Sequence, residues 1–237
     1  MKIAIIPARG GSKRIKNKNI ADFCGKPIIY YPLMAAKQSG LFDKIHVSTD
    51  SETTKTVVEN LGFPVDFLRD PMLADDHTHI RPVLKWVLER YRKTGCSYND
   101  VCLILPCAAL IEASDLAGGF KAYLEHGREK ALLAITEYSA PIEWAYEKDG
   151  RGFLMPCQPG KFAIRSQDLG KKYHAAGAFI FFNADHILSG QLPADQNYAG
   201  YALSGYKAVD IDEMKDFELA EILYLGQRAH CESKMSQ

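Results

Sequence analysis

The chain has 237 residues, 47% of them hydrophobic, and balances 29 Lys+Arg against 29 Asp+Glu. That length buries a sizeable core and excludes disorder, while zero formal charge argues against a broad nucleic-acid or membrane face, since such partners select a basic surface. The N-terminus lacks a secretory pattern, no apolar run reaches the length of a membrane span, and the six cysteines form no CxxC pair. The expectation is a cytoplasmic protein with reduced thiols, no zinc site, and no nucleic-acid or membrane partner.

In chain order, "KIAIIPA" is a continuous apolar run, and the basic loop "ARGGSKRIKNKN" at 8–19 follows it directly. "KPIIYYPLMAAKQSG" reads as a helix ending at Gly40, "KIHVSTD" as a strand ending at Asp50, and "SETTKTVVENLG" as a helix ending at Gly62. "RPVLKWVLERYRKTG" sets Val83, Trp86, Val87 and Tyr91 on one helical face. "DVCLILPCAAL" and "KALLAIT" repeat the buried-strand pattern. The stretch 139–173 breaks the rhythm with a hairpin turning at Asp149 and Gly150, before "AAGAFIFFNAD" returns as a strand. The last helix, "EMKDFELAEILYLGQRAH", carries Phe217, Ala220, Ile222, Leu223 and Leu225 as its apolar stripe. This alternation predicts a single α/β domain over 1–237 with a mostly parallel central sheet. The stretch 139–173 is then an inserted excursion, a lid or a dimer arm.

Open α/β sheets bind ligands beyond the carboxyl ends of their strands, and the loop at 8–19 leaves the first strand there. It holds five cations, two glycines and no acid. The backbone N–H groups of Gly10, Gly11 and Ser12, with Arg9 and Lys13 supplying charge, can form a phosphate cradle. The loop is neither GxxxxGK[ST] nor GxGxxG. Its Arg14 and Lys16 receive no role and read as solvated surface.

In "AVDIDEMKDFELAE", Asp210 and Asp212 alternate on what looks like a strand end, so both carboxylates project to one side. Two readings stand: a Mg²⁺ pair shared with substrate phosphates, or an N-cap at Asp212 beside an exposed Asp210. Arg69 reads either as an ion-pair partner of Asp70 or Asp75 or as a nucleotide contact. His77 and His79 have no third ligand nearby and read as surface residues. Arg165 and Asp168, three apart, either pair with each other or leave Arg165 for a ligand carboxylate.

"IIPARGGSKRIKNKNI", "KPIIYYPLMAA", "FDKIHVSTDS", "FLRDPMLADDHT", "RSQDLGKKYHAAG" and "VDIDEMKDFELAE", in that order, resemble the acylneuraminate (CMP-sialic acid synthetase) cytidylyltransferase family along nearly the whole chain. The resemblance implies a Rossmann-like three-layer nucleotidyltransferase fold, and the projecting hairpin, whose apolar Trp144, Tyr146, Phe153, Leu154 and Met155 would otherwise be exposed, is expected to mediate a homodimer. It implies Mg²⁺-dependent transfer of CMP from CTP to a nonulosonic acid, releasing pyrophosphate. Arg9, Gly10, Gly11, Ser12, Lys13 and Lys18 would then grip the triphosphate, with Lys13 also catalytic. Asn19, Arg69, Asp76 and Thr78 would lie near the cytidine. Arg165, Gln167, Tyr173 and His174 would contact the sugar, and Asp210 and Asp212 would be both catalytic and metal-binding.

One motif departs from the family. Many of its members end the central strand in Gln-Pro-Thr-Ser-Pro, where this chain has "LPCAAL", with Leu105, Ala108 and Ala109 replacing polar groups or proline. An apolar wall there favours pseudaminic acid or a related 5,7-diamido sugar. The alternative acceptors are N-acetylneuraminate, legionaminate and 3-deoxy-manno-octulosonate; a non-catalytic nucleotide-binding regulator is the alternative from a different class.

Overall fold

In β1 (Lys2–Pro7), the four residues Ile3, Ala4, Ile5 and Ile6 are all fully buried. Ala4 and Ile6 join one apolar cluster and Ile3 and Ile5 another, because successive side chains leave a strand on opposite faces. A strand covered on both sides must read as a continuous apolar run. The computed structural model describes residues 1–75, 78–190 and 197–235.

A short antiparallel ribbon, β2 (Asp22–Phe23) with β3 (Lys26–Pro27), precedes α1 (Tyr30–Ser39). The helix stops at Gly40, whose φ of 63° suits a residue without a Cβ. β4 (Lys44–Ser48) follows, then α2 (Glu52–Asn60), whose Ser51 side chain caps the Thr54 amide at 3.2 Å. The remaining elements are α3 (Ile80–Lys93), β5 (Asp100–Ile104), α4 (Ala113–Glu125) and β6 (Leu132–Glu137). After these come the hairpin β7 (Tyr146–Lys148) and β8 (Leu154–Pro156), β9 (Tyr173–Asn183), α5 (Ala184–Ser189), β10 (Ala199–Ala202) and α6 (Met214–Met235).

The central sheet runs β10-β6-β9-β5-β1-β4. β1 pairs in parallel with β4 and β5, and β10 with β6, while β9 is antiparallel to both β5 and β6. The reversal has a simple cause. The excursion leaves the carboxyl end of β6, and β9 starts beside it, with Tyr173 opposite Glu137, so the chain can only run back. The excursion therefore sits at the end of the sheet where the parallel strands finish. Leu33, Val58, Leu116 and Tyr123 of α1, α2 and α4 cover one face, and Leu84, Val87, Leu88 and Ile187 of α3 and α5 cover the other, making three layers.

Several expectations need correction. α4, α5 and β10 are elements the chain pattern did not announce. The strand expected through "DVCLILPCAAL" ends at Ile104, and α2 and α3 share the one connection between β4 and β5. On α6 the buried residues are Phe217 and Ala220, with Leu223 and Tyr224 partly covered, whereas Ile222 and Leu225 are 67% and 56% exposed. A helix that touches the body along one narrow line buries residues three and four apart, and the extra apolar side chains face outward. All six cysteines are unpaired. Among the described residues, no helix is long and apolar enough to cross a membrane.

Candidate functional site

The loop at 8–19 is held by its own sequence. Ile15 is buried against Phe23 and Ile211, which pins the middle of an otherwise cationic segment. Ala8 donates its amide to the Ser48 carbonyl at 2.8 Å, extending the β1–β4 pairing into the loop. Gly10 donates its N–H to Asp50 at 3.0 Å, and a Cβ built on it would lie 2.9 Å from the Ser51 Cβ. Glycine is needed there for close approach to the start of α2. The Ser12 amide goes to the Gly10 carbonyl at 3.1 Å, so of the three amides expected to cradle a phosphate, those of Gly10 and Ser12 are bonded within the protein. Asn19 is buried and donates Nδ2 to the Arg9 carbonyl at 3.0 Å, closing the loop on itself.

At the end of β4, Arg69 is buried and donates Nε to Ser48 Oγ at 3.0 Å and Nη2 to the Ser48 carbonyl. Burial pushes its pKa down to about 10, Arg9 adds to that shift and Asp50 opposes it. Its hydrogen bonds thus go to Ser48 and not to Asp70 or Asp75. Asp70 instead accepts from the Met72 amide at 2.9 Å and Asp75 from the Thr78 amide at 2.6 Å. Arg9 donates Nη1 to the Asp75 carbonyl at 2.9 Å, tying this stretch to the loop.

Asp210 and Asp212 lie in the irregular connection before α6, not on a strand end, with Ile211 buried between them. The N-cap reading is displaced: Asp216 Oδ2 accepts the Asp212 and Glu213 amides at 3.1 and 2.8 Å. The Asp212 side chain instead meets Arg14 at 2.7 Å and Lys18 at 3.6 Å. Lys18 also donates to the Ile211 carbonyl. Asp210 keeps solvent contact, yet the protein packed around it, and secondly Asp212, push its carboxyl above the usual carboxylate range.

Asp210 is seated by a feature of β9. Gly177 has φ +63° inside the strand, where the register against β6 shifts, and a Cβ there would lie 2.9 Å from Asp210 Cβ and 3.0 Å from its Cγ. Only glycine allows that approach.

These groups share one cavity of about 710 Å³, lined by Arg9, Ser12, Lys13, Lys18, Asn19, Arg69, Thr78, Asp210 and Asp212, together with Arg14, Leu105, Pro106, Cys107 and Gly177. Gly10 and Gly11 shape the loop but do not line it. Ala108 and Ala109 are buried in the core and form no part of the wall, so the apolar surface expected of "LPCAAL" narrows to Leu105, Pro106 and Cys107. Asp76 and His77 lie outside the described residues.

Arg165, Gln167, Tyr173 and His174 are not brought into the cavity. Arg165 is exposed and grips Asp168 in a two-pronged pair at 2.8 and 3.3 Å. His174 packs on Tyr138, ring centres 4.7 Å apart, and sits opposite Thr136 on β6. It is three residues from Gly177, roughly 10 Å along the strand. The excursion carrying Arg165 and Gln167 stands beside the cavity's end of the sheet and not within it.

Arg14, Asp50 and Gly177 belong to this site and were not expected from the sequence. Gly177 had a usable signal, since a lone glycine inside "AAGAFIFF" marks a bulge or a close backbone approach. Arg14 had none, because its partner is 198 positions away.

A family model described as cytidylyltransferase matches residues 3–103. A pseudaminic acid cytidylyltransferase of Campylobacter jejuni is 35% identical over 222 residues, 94% of this chain and 95% of that one. The CMP-N,N'-diacetyllegionaminic acid synthase of Legionella pneumophila is 27% identical over 235 residues, 96% of this chain and 98% of that protein. Among solved structures, a CMP:2-keto-3-deoxy-manno-octonic acid synthetase complexed with CTP superposes with a TM-score of 0.70 at 16% identity, covering 95% of this chain and 99% of that one, a likeness of fold. With an end-to-end relative at 35% identity and the matching basic loop built into a cavity at the strand ends, the chain belongs to the cytidylyltransferase family of enzymes.

Proposed function

We propose that the enzyme transfers CMP from CTP to the anomeric hydroxyl of a nonulosonic acid, with pseudaminic acid the favoured acceptor. The observation that carries this reading is the single cavity in which four loop cations, Arg9, Lys13, Arg14 and Lys18, meet the Asp210 and Asp212 carboxylates. A volume of about 710 Å³ suits a nucleotide with room beside it.

In the reaction the sugar hydroxyl oxygen forms a bond to the α-phosphorus, the bond from that phosphorus to the bridging oxygen breaks, and pyrophosphate leaves with the electron pair. The hydroxyl proton passes to solvent or to the departing phosphate. Nothing in this step needs a covalent nucleophile, so alignment and charge neutralisation supply the catalysis. Arg9, Ser12, Lys13 and Lys18 hold the triphosphate, Lys13 facing the charge that develops on pyrophosphate. Asn19, Arg69 and Thr78 border the nucleoside end, and Gly10 lets the loop pass close enough to the start of α2 to present these groups.

Asp210 and Asp212 fit a divalent cation shared with phosphates: they are hard oxygen donors, and among the described residues no cluster of three His, Cys, Asp or Glu forms a closed protein cage. Mg²⁺ bound there would neutralise phosphate charge and lower the pKa of the attacking hydroxyl. Arg165 and Gln167 on the excursion, with Tyr173 and His174 at the start of β9, form an acceptor half-site, and the excursion closes over the cavity or the half-site is completed by a second copy of the chain. Tyr146, Phe153, Leu154 and Met155 are exposed on that hairpin, and Trp144 is partly covered by Phe162, a surface suited to a homodimer.

A panel of pseudaminic, legionaminic, N-acetylneuraminic and 3-deoxy-manno-octulosonic acids with CTP or UTP, read by pyrophosphate release, tests the reading. Pseudaminate with CTP is expected to be the best pair. Faster release with N-acetylneuraminate would remove the role given to the apolar wall of Leu105, Pro106 and Cys107.

A further inference from the structure

We propose that Arg14 is a clasp on the carboxylate pair: it holds Asp212 while no divalent cation is present, and surrenders that oxygen when cation and CTP bind together. The proposal rests on the reading of Asp210 and Asp212 as cation ligands. Arg14 Nη2 lies 2.7 Å from Asp212 Oδ1, and the same oxygen is 3.6 Å from Lys18 Nζ. Two cations therefore already occupy the charge environment that a divalent ion needs. Lys18 is anchored elsewhere, donating to the Ile211 carbonyl, so it is the fixed member and Arg14 the exchangeable one.

The exposure of the pair supports exchange. The side chains of Arg14 and Asp212 are 61% and 47% exposed, so their pairing adds little to stability and breaks at low cost. Arg14 also lines the cavity that holds Arg9 and Lys13, so a released guanidinium has a destination within the site. A planar guanidinium pairs with phosphate as readily as with carboxylate. The clasp also does structural work before substrate arrives. It joins the basic loop to the connection before α6, across 198 positions of sequence.

Two effects of opposite sign follow from this arrangement. Removing Arg14 takes away a competitor for Asp212, so the CTP-free protein should bind the cation more tightly. It also removes a phosphate partner, so CTP should bind more weakly. A residue that merely braced the loop would weaken both.

The test titrates Mn²⁺ into CTP-free wild type, Arg14→Gln, Arg14→Lys, Asp210→Asn and Asp212→Asn, following the free-ion paramagnetic resonance signal, and measures KM for CTP separately. Arg14→Gln is expected to bind Mn²⁺ about threefold more tightly than wild type, the scale of one exposed ion pair, with Arg14→Lys close to wild type. KM for CTP should rise about tenfold in Arg14→Gln, with kcat changed less. Mn²⁺ binding by Arg14→Gln equal to or weaker than wild type overturns the clasp, as does an absence of binding by both. If Arg14→Gln alone behaves unexpectedly while Asp210→Asn and Asp212→Asn lose Mn²⁺, only the clasp fails. If those two variants bind Mn²⁺ like wild type, the cation reading fails as well.

Discussion

The basic loop at 8–19 and the excursion at 139–173 stand at the same end of the sheet and are built in opposite ways. The loop is stitched into the body through buried Ile15 and Asn19, and through Lys18 to the Ile211 carbonyl before α6. The excursion rests on little: every residue of β7 and β8 is exposed, with Phe153 at 64% and Met155 at 62%. A phosphate-gripping loop must hold like charges close together before its ligand arrives, and only a rigid frame does that. The excursion has no such burden, and its apolar surface fits association with something outside the chain.

The stitched region should be the more sensitive, and the largest effect is expected at Asp210. Asp210→Asn should lower kcat/KM for CTP by a factor on the order of 10²–10³, measured by pyrophosphate release. The same change should raise Tm at pH 7 to 8. The Asp210 carboxyl is raised above its ordinary value, so its ionisation opposes folding; that stability is complete below the ordinary carboxylate pKa and is lost as pH climbs through the raised one. The gain should vanish near pH 4. An active Asp210→Asn protein would break the contrast at its centre.

Gly177→Ala comes next. Its Cβ would need positive φ and would press on Asp210, costing about 1–2 kcal/mol in backbone strain and displacing the carboxylate. Turnover should fall by up to roughly 100-fold, with a lower Tm. Unaltered turnover would show that Asp210 is not held from β9. Arg69→Lys cannot reproduce the two bonds to Ser48 and should cost about 2 kcal/mol by denaturant midpoint, with a higher KM for CTP.

Effects on the excursion should be smaller for the fold and confined to the acceptor and the assembly. Arg165→Ala should raise KM for the sugar acid about tenfold and leave KM for CTP unchanged, whereas Asp168→Ala should not raise it. Equal effects of the two substitutions would mean that the pair is only structural. Phe153→Ser with Met155→Ser should convert a dimer to a monomer in sedimentation, changing the stability of each chain by no more than about 0.5 kcal/mol. A monomeric wild type would sharpen the comparison differently, leaving closure over the cavity as the excursion's role.

How legible each region was follows from the range of its contacts. "KIAIIPA", "KIHVSTD" and the helices ending at Gly40 and Gly62 were readable because burial on both faces, a cap and a positive φ are local requirements. α4 was not, since its "ASDLAGGFKAYLE" carries two central glycines that depress helix propensity. Those glycines are there for packing: a Cβ on Gly119 would lie 2.6 Å from the Phe179 ring, and one on Gly118 2.2 Å from the Tyr201 hydroxyl. The stripe on α6 was misread because apolar content along a helix does not say which line of it touches the body.

Local chemistry settled the α/β pattern, the cationic loop and the spacing of the two carboxylates, for these depend on neighbours a few positions apart. The meeting of Arg14 with Asp212, the seat that Gly177 makes for Asp210, the grip of Arg69 on Ser48 and the reversed course of β9 were decided by tertiary structure. Each joins residues distant in the chain, and such a pairing exists only once the sheet has brought the strand ends together.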